Sequence, residues 1–130
     1  MPTRSAADIR NIVLAGAGGS GKTTLAERLL FATGATKRMG TVAEGNTVSD
    51  WSDEEKLHKH SLHASLVHLE YEGHLVNVID TPGLADFIGH AIACFPSAET
   101  VAVVVDGLKG IDSVTRRLMR VAEERKIPRW

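Results

Sequence analysis

Little in this 130-residue sequence suggests an unusual environment. It has one cysteine, Cys94, so no disulfide can form within the chain and a reducing compartment is expected. No charge of one sign prevails. Fifteen Lys and Arg stand against sixteen Asp and Glu, which leaves no electrostatic case for nucleic acid or a membrane surface. Long apolar runs are missing too: Val101 to Val105 is far shorter than the roughly 20 residues a membrane helix needs. Met1 to Asp8 holds no apolar stretch of signal-peptide type. Internal repeats, low-complexity segments and interdomain linkers are absent. What remains is ordinary globular composition, 43% hydrophobic and 24% charged, at the length of one domain. A soluble cytoplasmic protein is expected.

Apolar patterning divides the chain into alternating strands and helices. Asn11-Ile12-Val13-Leu14-Ala15 reads as a buried strand that runs into a glycine cluster. From Gly21 onward Leu25, Leu29 and Leu30 recur at helical spacing, and Gly34 sits where such a helix would stop. Residues 35–60 have no clean period and read as a long loop, of the kind that in compact domains is usually functional or disordered. Val67, Leu69 and Tyr71 alternate with polar residues, predicting a strand with one wet face. A tight turn at Glu72-Gly73 returns the chain as Leu75 to Ile79, an antiparallel hairpin. A helix is expected from Asp86 to about Phe95, then a buried strand from Thr100 to Val105. A last helix follows, capped by Asp112 or Ser113, with Val114, Leu118, Val121 and Ala122 on its apolar face. Lys126 to Trp130 reads as the approach to a further strand that never arrives. The edge of Thr100 to Val105 would then be bare and prone to association. The order predicts an α/β sandwich around a mostly parallel sheet with one antiparallel hairpin.

The chemistry is concentrated in Gly16-Ala17-Gly18-Gly19-Ser20-Gly21-Lys22-Thr23, which fits G-x-x-x-x-G-K-[ST] at every fixed position. Glycines let consecutive backbone N–H groups approach phosphate oxygens with no β-carbon in the way. The helix that follows adds the positive end of its dipole. Lys22 supplies a charge to the β- and γ-phosphates, and the Thr23 hydroxyl is a Mg²⁺ ligand. Gly16, Gly18 and Gly21 also satisfy G-x-G-x-x-G. A dinucleotide site, however, wants a second strand ending in an acidic residue roughly 20 residues on, where this chain has an irregular loop. Asp80-Thr81-Pro82-Gly83 ends the second hairpin strand. By itself it is a good turn sequence. Beside a phosphate loop, Asp80 is placed to hold the Mg²⁺ shell through water, and Gly83 to turn its N–H toward a γ-phosphate.

Together these residues resemble the GTP-binding domain of translational GTPases, and of elongation factor G in particular. Gly40-Thr41-Val42-Ala43-Glu44-Gly45 and Asp50-Trp51 are similar to that family's lead into switch I. Val76 to Gly83 with Asp86-Phe87 is similar to its third strand and switch II. The resemblance runs from about Arg10 to Trp130. It implies a P-loop NTPase three-layer sandwich, with residues 1–130 as the N-terminal portion of a GTP-binding domain, ending before the base-recognition strand. It also implies GTP and Mg²⁺ as cofactors, the ribosome as partner, and further domains beyond this chain. Residue by residue, Gly16, Ala17, Gly18, Gly19, Ser20, Gly21, Lys22 and Thr23 keep their phosphate roles. Thr24 reaches the α-phosphate, and Ser61 takes the switch I position that ligates Mg²⁺. Departures are specific. The family has aspartate at Gly19, Gly-Ile-Thr at Lys59-His60-Ser61, and at Leu84 a histidine that orients the attacking water. The run Glu55 to Ser61, with Thr115-Arg116-Arg117 later, looks more like the divergent elongation factor G-like paralogues. The guanine-reading Asn-Lys-x-Asp motif does not occur, so guanine preference is implied by resemblance alone.

Other chemistry-bearing residues have plainer readings. His58, His60, His63, His68 and His74 fall within 17 residues, but no Cys-x-x-Cys or second ligand pair completes a zinc site. Trp51 reads as a packing anchor of switch I before a partner contact, Asp53-Glu54-Glu55 as a solvated helical turn before a source of a general base, and Cys94 as a small core residue rather than a nucleophile. Three functions stay open: a ribosome-stimulated GTPase whose rate depends on Lys22, Gly83 and the group at Leu84, a slow or non-hydrolysing nucleotide-gated binding module, and a non-translational P-loop ATPase or kinase.

Overall fold

The computed structural model describes residues 4–49 and 63–130. Its elements are β1 (Ile9–Ala15), α1 (Lys22–Ala32), β2 (Ser65–Tyr71), β3 (His74–Asp80), α2 (Ile88–Cys94), β4 (Thr100–Val103) and α3 (Ser113–Glu124). The strands form one sheet in the order β2-β3-β1-β4. β1 lies parallel to both β3 and β4, while β2 runs antiparallel to β3. The hairpin closes through Glu72 and Gly73, both at positive φ (+46° and +81°), the backbone a two-residue turn between twisted strands needs.

Alternation along the strands sends side chains to two cores. Val13 and Ala15 of β1 join Ile88, Ala91, Phe95, Val101, Leu118 and Ala122, so α2 and α3 cover one face. Leu14 joins Ala26, Leu30, Val67, Leu69, Val78 and Ala102, which puts α1 on the other. The result is a three-layer α/β sandwich with a mostly parallel sheet. Asp112 caps α3, its carboxylate accepting from Thr115 N at 2.8 Å.

Several local expectations need correction. The buried stripe of α1 is Lys22, Ala26, Glu27 and Leu30, whereas Leu29 lies partly in solvent. Tyr71 is 58% exposed, because β2 ends there at the hairpin tip. The fourth strand stops at Val103, and α2 is flanked by short 3₁₀ turns at Ala85–Phe87 and Phe95–Ser97. The last residues do reach a strand position. Val101 N donates to Pro128 O at 2.9 Å and Val103 N to Trp130 O at 2.8 Å. The outer edge of β4 is therefore partly paired, because the turn after α3 returns the chain parallel to it. What stays open is an apolar groove beside α1, lined among others by Ile12, Leu29, Tyr71, Val76 and Trp130.

Candidate functional site

The sheet delivers two strand ends to one place. β1 ends at Ala15 and β3 at Asp80, side by side in parallel register, with Leu14 opposite Asp80. The chain leaving β3 is tied back to β1 by the buried Thr81 hydroxyl, which donates to Leu14 O at 2.7 Å. Gly16, at φ +146°, packs so closely under Val104 that a β-carbon would overlap the Val104 carbonyl oxygen. Gly21, at φ +100°, turns the loop into α1, whose first residue is Lys22. The loop between them borders an open cleft of about 200 Å³, with Gly18, Gly19 and Thr24 on its wall. Ala17 and Ser20 close the loop, Ser20 N donating to Ala17 O at 3.2 Å. The Ser20 hydroxyl is buried without a partner among the described residues.

Lys22 is only 6% exposed, and its Nζ donates to Gly16 O at 3.0 Å and Ala17 O at 2.8 Å. An ammonium has three N–H donors, so one is left for the cleft. Burial pushes its pKa down, opposed by the nearby Asp80 and Asp112 carboxylates. An anionic phosphate in the cleft would relieve that cost. One residue on, Thr23 Oγ1 donates to Asp80 Oδ2 at 2.6 Å, which joins the start of α1 to the end of β3. A hydroxyl and a carboxylate side by side are hard oxygen donors, and they fit Mg²⁺. Ser61 lies outside the described residues, as do Trp51, Asp53 to Glu55, His58 and His60.

Gly83 closes the cleft against the loop. A β-carbon there would stand 2.5 Å from both Gly18 N and Lys22 Nζ. Leu84 follows with its side chain over Gly18. His90 is turned to other company, in edge contact with Phe87 and His63. Among the described residues no group of three or more His, Cys, Asp or Glu is placed to hold a metal ion. Cys94 is half-buried, with its pKa raised by burial and its thiol on His90 O. That environment disfavours a thiolate.

Glu27 and Lys109 escaped the sequence patterns, and Val42 was marked only as part of the stretch similar to switch I. Glu27 is a buried acid on the stripe of α1, and its only sequence signal is a charge between the buried positions Ala26 and Leu30. Val42 reaches the cleft from the 40–48 segment. Lys109 brings its Nζ within 3.7 Å of where a side chain on Gly19 would begin. Its turn is held by Asp106, whose carboxylate accepts from Leu108 N and Lys109 N.

Comparison with known proteins gives the same picture. Residues 7–130 match the family described as the elongation factor Tu GTP binding domain. The chain is 39% identical over 121 residues to the elongation factor G-like protein of Mycobacterium tuberculosis, covering 93% of this chain and 17% of that one. It is 36% identical over 123 residues to the mitochondrial ribosome-releasing factor 2 of Rattus norvegicus, covering 95% and 16%. A crystal structure from Thermus thermophilus superposes with a TM-score of 0.90 at 40% identity, over 95% of this chain and 19% of the other. The chain thus spans about a sixth of the length of the relatives it matches. No helix among the described residues is long and apolar enough to cross a membrane. With a glycine-rich loop, a Thr23–Asp80 pair and Gly83 assembled at one end of this sheet, the chain belongs to the family of elongation factor Tu GTP-binding domains.

Proposed function

We propose that residues 1–130 are the N-terminal portion of the GTP-binding domain of an elongation factor G-like protein, one that acts on the ribosome and hydrolyses GTP slowly. The cleft between the phosphate loop and Gly83 carries this reading. On one side, loop N–H groups and Lys22 bind and orient the phosphates. On the other, Gly83 packs against Gly18 and Lys22, where its N–H would serve a γ-phosphate. Thr23, Asp80 through water, and Ser61 by resemblance would hold Mg²⁺, which would neutralise charge on the phosphates. Phosphoryl transfer depends chiefly on positioning and charge stabilisation. Leu84, at the position of the family's water-orienting histidine, has no hydrogen-bonding side-chain atom, so the chain binds better than it turns over.

Guanine preference and ribosome action are supported by the family match and by the relatives' names. A cytoplasmic location is supported by the lone cysteine. The same Leu84 favours a second reading, a nucleotide-gated binding module that does not hydrolyse. The test is competition of GTP against ATP for binding, followed by single-turnover GTP hydrolysis with and without ribosomes, on the full-length protein. GTP-selective binding with ribosome-stimulated turnover is expected. Binding without stimulation selects the gated module, and equal competition by ATP overturns the guanine assignment.

A further inference from the structure

Glu27 is 1% exposed, and nucleotide binding as described makes no use of it. It lies on α1, one helical turn beyond Thr23, and its carboxylate binds a segment distant in sequence. Oε2 accepts from Gly40 N at 2.9 Å and Oε1 from Val48 N at 2.5 Å. Between those two points the chain folds on itself. Thr41 N donates to Asn46 Oδ1 at 2.7 Å, and Thr41 caps the 3₁₀ turn Val42–Glu44. Val42, in that turn, lines the phosphate cleft. The fit is close at Gly40, where a β-carbon would stand 2.6 Å from Asn46 O, 2.8 Å from Thr47 Cα and 2.9 Å from Glu27 Oε2. An ionised carboxylate offers two acceptors and no donor, which suits two inward-facing backbone N–H groups.

We propose that Glu27 is a positioning residue that fastens the 40–48 segment to the helix carrying Lys22 and Thr23. The Val42 wall of the phosphate cleft then keeps a fixed place relative to the groups that grip the phosphates. Freed from Glu27, the wall would stand away from the cleft, admit water and let nucleotide leave sooner. The inference rests on the guanine-nucleotide reading above.

The experiment is the dissociation rate of a fluorescent guanine nucleotide from the full-length protein, measured well below the melting temperature, for Glu27→Gln and Gly40→Ala. The glutamine keeps the shape but turns an N–H₂ toward one of the two N–H groups. The alanine leaves the carboxylate intact and crowds the segment at Asn46 O, Thr47 Cα and Glu27 Oε2. Val101→Ala, in the core on the opposite face of the sheet, controls for lost stability. Release about tenfold faster in both variants, at the unaltered rate in Val101→Ala, is the expected result. If Glu27→Gln fails to fold, Glu27→Asp, which keeps the charge but draws it back from both N–H groups, decides. Release at the unaltered rate, or acceleration matched by Val101→Ala, overturns the assignment while leaving nucleotide binding intact. An unaltered protein that retains no guanine nucleotide would instead overturn the reading on which it rests.

Discussion

Leu84 lies across the phosphate loop at Gly18, its Cδ2 3.3 Å from the point where a β-carbon on Gly18 would sit. The first residue after Asp80-Thr81-Pro82-Gly83 thus packs on the loop as an apolar cover. It also borders a second cavity behind the loop, beside Asp106 and Lys109. Such a side chain can exclude water from the cleft but cannot orient it. We therefore expect ribosome-stimulated single-turnover hydrolysis to be about 10²–10⁴-fold faster in Leu84→His, the scale of one positioned proton-transfer group. GTP affinity should be unchanged. Equal rates would restrict Leu84 to packing on Gly18.

Lys22→Ala should abolish triphosphate binding. The ammonium is buried and held toward the cleft by two loop carbonyls, and losing a desolvated charge partner costs about 2–5 kcal/mol. Thr23→Ala should act differently, weakening only the Mg²⁺-dependent part of the affinity. Isothermal titration with and without Mg²⁺ separates the two. An unchanged Lys22→Ala affinity would remove the phosphate loop from the function.

Stability carries a pH signature at the cap of α3. The backbone N–H of Thr115 donates to the Asp112 carboxylate and holds its pKa below the ordinary value, as does contact with the Thr115 side chain. A carboxylate more acidic when folded stabilises the fold fully above its unfolded pKa, about 4, and loses that contribution as the pH falls through its folded value. Asp112→Ala should cost about 1 kcal/mol near pH 7, as usual for a lost cap. The gap from the unaltered chain should shrink below about pH 4. Denaturant melts across pH read it directly, and a gap that persists in strong acid would assign the loss to packing.

Association of chain 1–130 should run through the groove beside α1. The outer edge of β4 is partly paired, while Tyr71 is 58% exposed and Trp130 is 77% exposed. Exposed apolar surface of this kind favours contact between copies. Light scattering should show concentration-dependent dimers or larger species, reduced in Tyr71→Ser with Trp130→Ser. A monodisperse chain at all concentrations would rule out the groove as a contact surface.

Local geometry that depends on neighbours in sequence was legible without a structure. The spacing of Gly16, Gly21, Lys22 and Thr23 determines the loop, because each role there belongs to backbone conformation or to the first turn of a helix. The glycines at Gly16 and Gly21 do adopt positive φ, and α1 does start at Lys22. Alternation in β2, the Glu72-Gly73 turn and the position of Asp80 at a strand end were legible for the same reason. Only the tertiary structure could decide which distant groups meet. Nothing in periodicity links Glu27 to Gly40 and Val48, or Lys109 to Gly19. The pairing of Pro128 and Trp130 with β4 likewise depends on where the turn after α3 points, because a strand's hydrogen bonds go to a partner its own residues do not specify. Leu84 shows the division most clearly. Its side chain excludes a role in orienting water from the sequence alone, but its seat on Gly18 exists because parallel β1 and β3 deliver the glycine-rich loop and Gly83 to one end of the sheet.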